Sequence, residues 1–81
     1  MLDAIYLELM DAKEKWPEWP VDPIHAASVL SEEAGELVQA CNDYCYSDGP
    51  VQRMREEAIQ VAAMAIRFLE GMESYTRVKG Y

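Results

Sequence analysis

A chain of 81 residues and 9.2 kDa has room for one domain with a modest core, since globular domains take roughly 50–250 residues. Hydrophobic residues make up 51% of it and charged residues 27%, which excludes a disordered polar segment and, in so small a chain, implies apolar surface buried against another copy. Seven basic against fifteen acidic side chains give a net charge of −8; that field repels phosphate backbones and anionic lipid, so neither a nucleic-acid polymer nor a membrane is expected as partner, and it attracts divalent cations.

At the start, Met1-Leu2-Asp3-Ala4 places an acid where a secretory leader carries positive charge. No apolar run approaches the roughly 18–20 residues of a membrane span, and the expectation is a cytoplasmic protein. The first helix is predicted over about 2–15, with Ile5, Leu9 and Ala12 on one stripe. It must end at Trp16-Pro17-Glu18-Trp19-Pro20-Val21-Asp22-Pro23, which carries three prolines in seven residues. Asp22 followed by Pro23 is a favourable N-cap and first helical residue, opening a second helix to about Tyr46. Ser47-Asp48-Gly49-Pro50 breaks the chain again, with Gly49 suited to the position just past the helix end. A third helix, rich in Ala, Met, Leu and Glu, spans about 51–72. No alternating β-branched run occurs, so the fold class is all-α, about three helices per chain in a bundle completed by homo-oligomerisation. Cys41 and Cys45 lie four apart on one helix, a spacing unsuited to a disulfide, and are expected as packed thiols.

At 100° per residue, Leu30, Ala34, Leu37, Val38, Cys41, Tyr44 and Cys45 form one broad apolar arc on the second helix. Glu33 falls inside that arc and Glu36 at its edge, beside a stripe of His25, Glu32 and Asp43. On the third helix Met54, Ala58, Val61, Ala62, Ala65, Leu69 and Met72 form the expected apolar stripe. Glu57 lies within its wider arc, and Gln60 lies just outside with Arg53 and Arg67. Burying an unpaired carboxylate is expensive, so something positive should meet these acids. Hard cations such as Mg²⁺ take oxygen ligands, commonly carboxylates together with substrate phosphates; a solvated or ion-paired face is the competing account. A di-iron carboxylate bundle wants Glu-x-x-His on each of two helices, and the single histidine, His25, has no Glu three residues before it. Zinc is equally poorly served, because Cys41 and Cys45 lack two further spaced ligands.

The run Glu32-Glu33-Ala34-Gly35-Glu36, followed after a loop by Glu57-Ala58-Ile59-Gln60, resembles the EExxE…ExxD signature of the MazG-like, all-α nucleoside triphosphate pyrophosphatases. The likeness extends over roughly 23–70. It implies a helical homodimer or tetramer and Mg²⁺-dependent (or Mn²⁺-dependent) cleavage of a nucleoside triphosphate to monophosphate and pyrophosphate. Carried over by position, Glu33, Glu36 and Glu57 are metal ligands, and Glu32 is a further ligand or the base that orients the attacking water. Gln60 stands where the family has aspartate: it keeps a coordinating oxygen and loses a charge, which leaves either an active enzyme or a weakened nucleotide- or metal-binding regulator. A plain helical interaction module is the reading from another class. For substrate, Trp16 and Trp19 either stack on a base or pack the proline loop. Arg53 and Arg67 either bind phosphate or pair with acids, with Arg77 and Lys79 as alternatives. His25 either holds substrate or is structural.

Overall fold

The computed structural model describes residues 1–77 and is all-helical there: α1 Leu2–Lys15, α2 Pro23–Tyr46 and α3 Val51–Glu70. The start of α2 is built as its sequence dictates. The Asp22 carboxylate accepts from the Ile24 backbone N–H at 2.9 Å, satisfying a donor that the helix itself cannot, with Pro23 in the first turn. α3 stops at Glu70, two residues short of the predicted end. The Gly71 N–H returns to the Arg67 carbonyl at 3.1 Å, and a turn closed by Ser74 N–H to Gly71 carbonyl (2.8 Å) leads the chain away.

The α2–α3 connection corrects the role expected of Gly49. The left-handed residue after α2 is Asp48, at φ 56°, a conformation that Asp tolerates better than most residues. Gly49 serves close approach instead. Its N–H donates to the Asp43 carbonyl at 2.8 Å, and a Cβ there would lie 2.8 Å from the Asp43 Cβ.

α3 is the central helix, with α1 on one flank and α2 on the other, and α1 and α2 do not pack together. The result is a slab of 46 × 32 × 18 Å, little more than one helix thick given a helix diameter of about 10–12 Å. The core is correspondingly small: Leu9, Ala12, Ala63 and Met64, with Trp19, Val29, Leu30 and Ile66 packed against it.

This layout overturns the expected apolar stripe of α3. Its buried residues are Ala63, Met64 and Arg67, whereas Ala58, Leu69 and Met72 are exposed. The buried arc lies where α1 and the proline loop cover α3, on the side away from Ala58 and Leu69, and the period of α3 alone does not say which side its neighbours take. On α2 the deepest positions are Ala26 and Ala40, with Val38, Tyr44 and Cys45 on the open side. Cys41 and Cys45 are unpaired as expected, but only Cys41 is even half-buried. No helix among the described residues is long and apolar enough to cross a membrane.

Candidate metal centre

Ala26, Glu33 and Ala40 are spaced by seven, two helical turns, and so share one face of α2. Ala26 and Ala40 are fully buried, which places Glu33 at the middle of the face that packs on α3. Glu57 approaches from the α3 side of the same seam, and Glu36 stands one turn along from Glu33. One carboxylate oxygen from each of the three lies within 4.8 Å of the others. Glu33 Oε2 and Glu57 Oε2 are buried without any hydrogen-bond partner.

The electrostatics follow from that crowding. Burial pushes the Glu33 carboxyl up to about 7, and the neighbouring charges of Glu36, Glu57 and Glu32 push the same way. Glu57 is raised as well, first by burial and then by Glu36, with Arg53 opposing. Orphaned buried oxygens are rare because each forfeits its hydration. Three hard oxygen donors that no ion pair among the described residues neutralises suit Mg²⁺ or Mn²⁺ and suit softer metals poorly. The donor set fits such an ion.

Glu33 also lines a cleft of about 500 Å³, whose walls include Glu8, Asp11 and Lys15 of α1, Trp16 and Trp19 of the loop, and Gln60, Met64 and Arg67 of α3. Gln60 therefore lies beside the acids, in the wall of the cleft. Glu32 is exposed on the outer side of α2, close enough for its charge to act on Glu33. His25 is exposed and outside the cleft lining.

The two tryptophans have different surroundings. The Arg67 guanidinium lies 4.8 Å from the centroid of the Trp19 ring, and its Nη2 donates to the Trp16 carbonyl at 2.9 Å. Trp19 Nε1 donates to the Tyr75 hydroxyl, which in turn donates to the Phe68 carbonyl, each at 2.9 Å. Thr76 N–H closes the strap on the Val21 carbonyl at 2.9 Å. Trp19 is thus engaged on its face and at its nitrogen, whereas the Trp16 ring is 70% exposed at the cleft.

Of the predicted phosphate ligands, Arg67 is buried and none of the three ion pairs among the described residues includes it. Arg53 instead pairs with Asp43 at 3.0 Å, and Gln39 holds that carboxylate from the other side at 2.8 Å. Arg77 is exposed, and Lys79 lies outside the described residues. Sequence reasoning missed Glu8, Asp11 and Lys15. Their three- and four-residue spacing puts them on one flank of α1, a signal that could have found them. Tyr75 gave no such signal, since its contacts are all long-range or across a turn.

Compared with models of known protein families, with curated proteins and with solved structures, the chain matches none.

Proposed function

We propose that the chain is a Mg²⁺-dependent nucleoside triphosphate pyrophosphohydrolase of the MazG-like class, working as a homo-oligomer and releasing monophosphate and pyrophosphate. The observation that carries the reading is the convergence of Glu33, Glu36 and Glu57, with two buried oxygens unpartnered, beside a cleft open to an aromatic ring. Glu33 and Glu57, raised first by burial and then by neighbouring carboxylates, call for a cation, and a triphosphate brings one.

In this reading Glu33, Glu36 and Glu57 hold the ion, which neutralises charge on the phosphates and orients them when bound. Glu32, the exposed chain neighbour of Glu33, orients the attacking water and takes its proton. The water oxygen bonds to the α-phosphorus as the bond from that phosphorus to the bridging oxygen breaks, and the electron pair leaves with pyrophosphate. Gln60 offers the cleft wall an amide that both donates and accepts. Trp16 presents its open ring to the base, while Trp19 and Arg67 keep the loop in place. Lys15, held to Asp11 at 3.0 Å, is the cleft's exposed cation for the outer phosphates.

The test is pyrophosphate release across ribo- and deoxynucleoside triphosphates, in Mg²⁺ and in EDTA. Glu36→Ala should lower Mg²⁺-dependent release on the order of 100-fold or more, the range seen when a charge-stabilising group is removed, with helix content unchanged by circular dichroism. Release that survives EDTA, or a native rate in Glu36→Ala, would refute the assignment. Stabilisation by Mg²⁺ with no turnover on any nucleotide would instead support the regulator in which Gln60 has cost the enzyme its chemistry.

A further inference from the structure

The loop from Trp16 to Asp22 forms no helix or strand, and Pro17 and Pro20 within it have no backbone N–H to donate. What holds it comes largely from the far end of the chain. Beyond the helix caps at its two ends, three hydrogen bonds among the described residues tie it to the rest of the fold. Arg67 donates to the Trp16 carbonyl, Trp19 Nε1 to the Tyr75 hydroxyl, and the Thr76 N–H to the Val21 carbonyl, each at 2.9 Å. The last two reach the loop from the turn that follows α3.

The Tyr75 hydroxyl is shared between the two elements: it accepts from Trp19 and donates to the Phe68 carbonyl at the C-terminal end of α3. Its ring rests beside that of Phe68, with centroids 5.0 Å apart, so ring and hydroxyl have separate partners. Gly71 makes the room. A Cβ there would stand 2.9 Å from the Tyr75 hydroxyl oxygen and 3.2 Å from Trp19 Cδ1. Its φ of −84° suits any residue, so the missing side chain serves this contact and not the turn. The relay then runs inward. Tyr75 fixes Trp19, the Trp19 face carries the Arg67 guanidinium at 4.8 Å, and Arg67 holds the backbone of Trp16.

We propose that the turn after α3 is a strap that positions Trp16 at the cleft, with Tyr75 as its positioning residue. The Trp16 ring is 70% exposed, so its direction follows its backbone, and its backbone follows this relay. Tyr75 is not among the residues that line the cleft, and it acts only through Trp19 and Arg67. An aromatic wall already held in place binds a flat ring without first losing freedom of its own. A released loop spends part of its time elsewhere, and apparent affinity falls by that fraction. The positioning stands on these contacts alone; its effect on a nucleotide rests on the function proposed above.

The experiment compares the full-length wild type with Tyr75→Phe, which keeps the ring on Phe68 and removes only the hydroxyl. In EDTA without nucleotide, the two indole N–H signals are followed by ¹⁵N NMR and assigned with Trp16→Phe. The Trp19 indole proton should exchange with water on the order of 10-fold faster in Tyr75→Phe, and the Trp16 indole should lose its ¹⁵N order. With Mg²⁺ and a nucleoside triphosphate, KM should rise on the order of 10-fold at unchanged kcat. Gly71→Ala should reproduce both effects, because its methyl displaces the hydroxyl, and it decides the matter if Tyr75→Phe loses helix content. Gly49→Ala, a destabilising change at the α2–α3 connection, should alter neither the indole signals nor KM, which separates positioning from general loss of stability. Trp16 equally ordered in Tyr75→Phe, a loss of kcat at unchanged KM, or the same rise in KM in Gly49→Ala would overturn the proposal. If the wild type neither binds nor cleaves any nucleotide, the functional reading falls and the indole signals alone decide the strap.

Discussion

Replacing Glu33 by Gln should stabilise the protein, although Glu33 is the most buried of its three acids. The carboxyl is held near 7 against an ordinary value of 4.5, so the folded state binds a proton over a pH range in which the unfolded chain has released it. Stability then falls as pH rises between those two values and levels off above the higher one. At 1.36 kcal/mol per pH unit, the full difference is about 3 kcal/mol, and residual solvent at this half-buried group brings it to about 2–3. Glutamine keeps the shape and cannot ionise. Urea denaturation of both proteins in EDTA at pH 5 and pH 8.5 should show the wild type losing about 1–2 kcal/mol across that span, which begins above the lower of the two values, and Glu33→Gln losing far less. At ~4–8 °C per kcal/mol for a domain of this size, the variant should melt more than about 10 °C higher at pH 8.5. Mg²⁺ should close that gap by stabilising the wild type alone, through its affinity for the folded state. Equal pH slopes in the two proteins, or a variant less stable than the wild type at pH 8.5, would refute the account of the site as a set of uncompensated buried charges.

Gln60→Asp should have the opposite sign: a further carboxylate beside the acids lowers stability in EDTA and tightens Mg²⁺ binding, measurable by calorimetry and by the melting shift on adding metal. Arg67→Lys should cost about 2–3 kcal/mol, because an ammonium cannot both lie flat on Trp19 and donate in plane to the Trp16 carbonyl. Tryptophan emission should shift with it, and an unchanged spectrum and melting point would count against the clamp. Gly49→Ala should cost about 1–3 kcal/mol through the 2.8 Å approach to Asp43, read as a lower denaturation midpoint at unchanged slope.

How far the sequence carried depended on whether a feature was local. Helix bounds were legible because proline forbids continuation and Asp22-Pro23 has a capping geometry of its own. The acids on α2 were legible for a related reason: helical angle alone places Glu33 among apolar residues, and the structure puts it between buried alanines. α3 was misread because its place between two neighbours is a property of the whole assembly of helices, invisible to the period of one of them. Arg67 shows the same limit. Its angle placed it on the polar flank, and only the folding of the proline loop over that flank turns it into a buried residue stacked on Trp19. Asp48 took the left-handed position expected of Gly49 because a neighbouring backbone needed the glycine's missing side chain more.

The smallness of the core bears on how the protein exists at all. No large side chain among the described residues is completely buried in one chain, and the most deeply placed are alanines, whose transfer from water contributes little each. Folding of a single slab is therefore close to balance, and in the homo-oligomer proposed above a second copy would supply what the interior lacks. In the proposed homo-oligomer, folding and association would become one equilibrium, in which the amount of protein is itself a stabilising agent. Dilution should act on this molecule as heat does on others, and its melting point should climb with its own concentration.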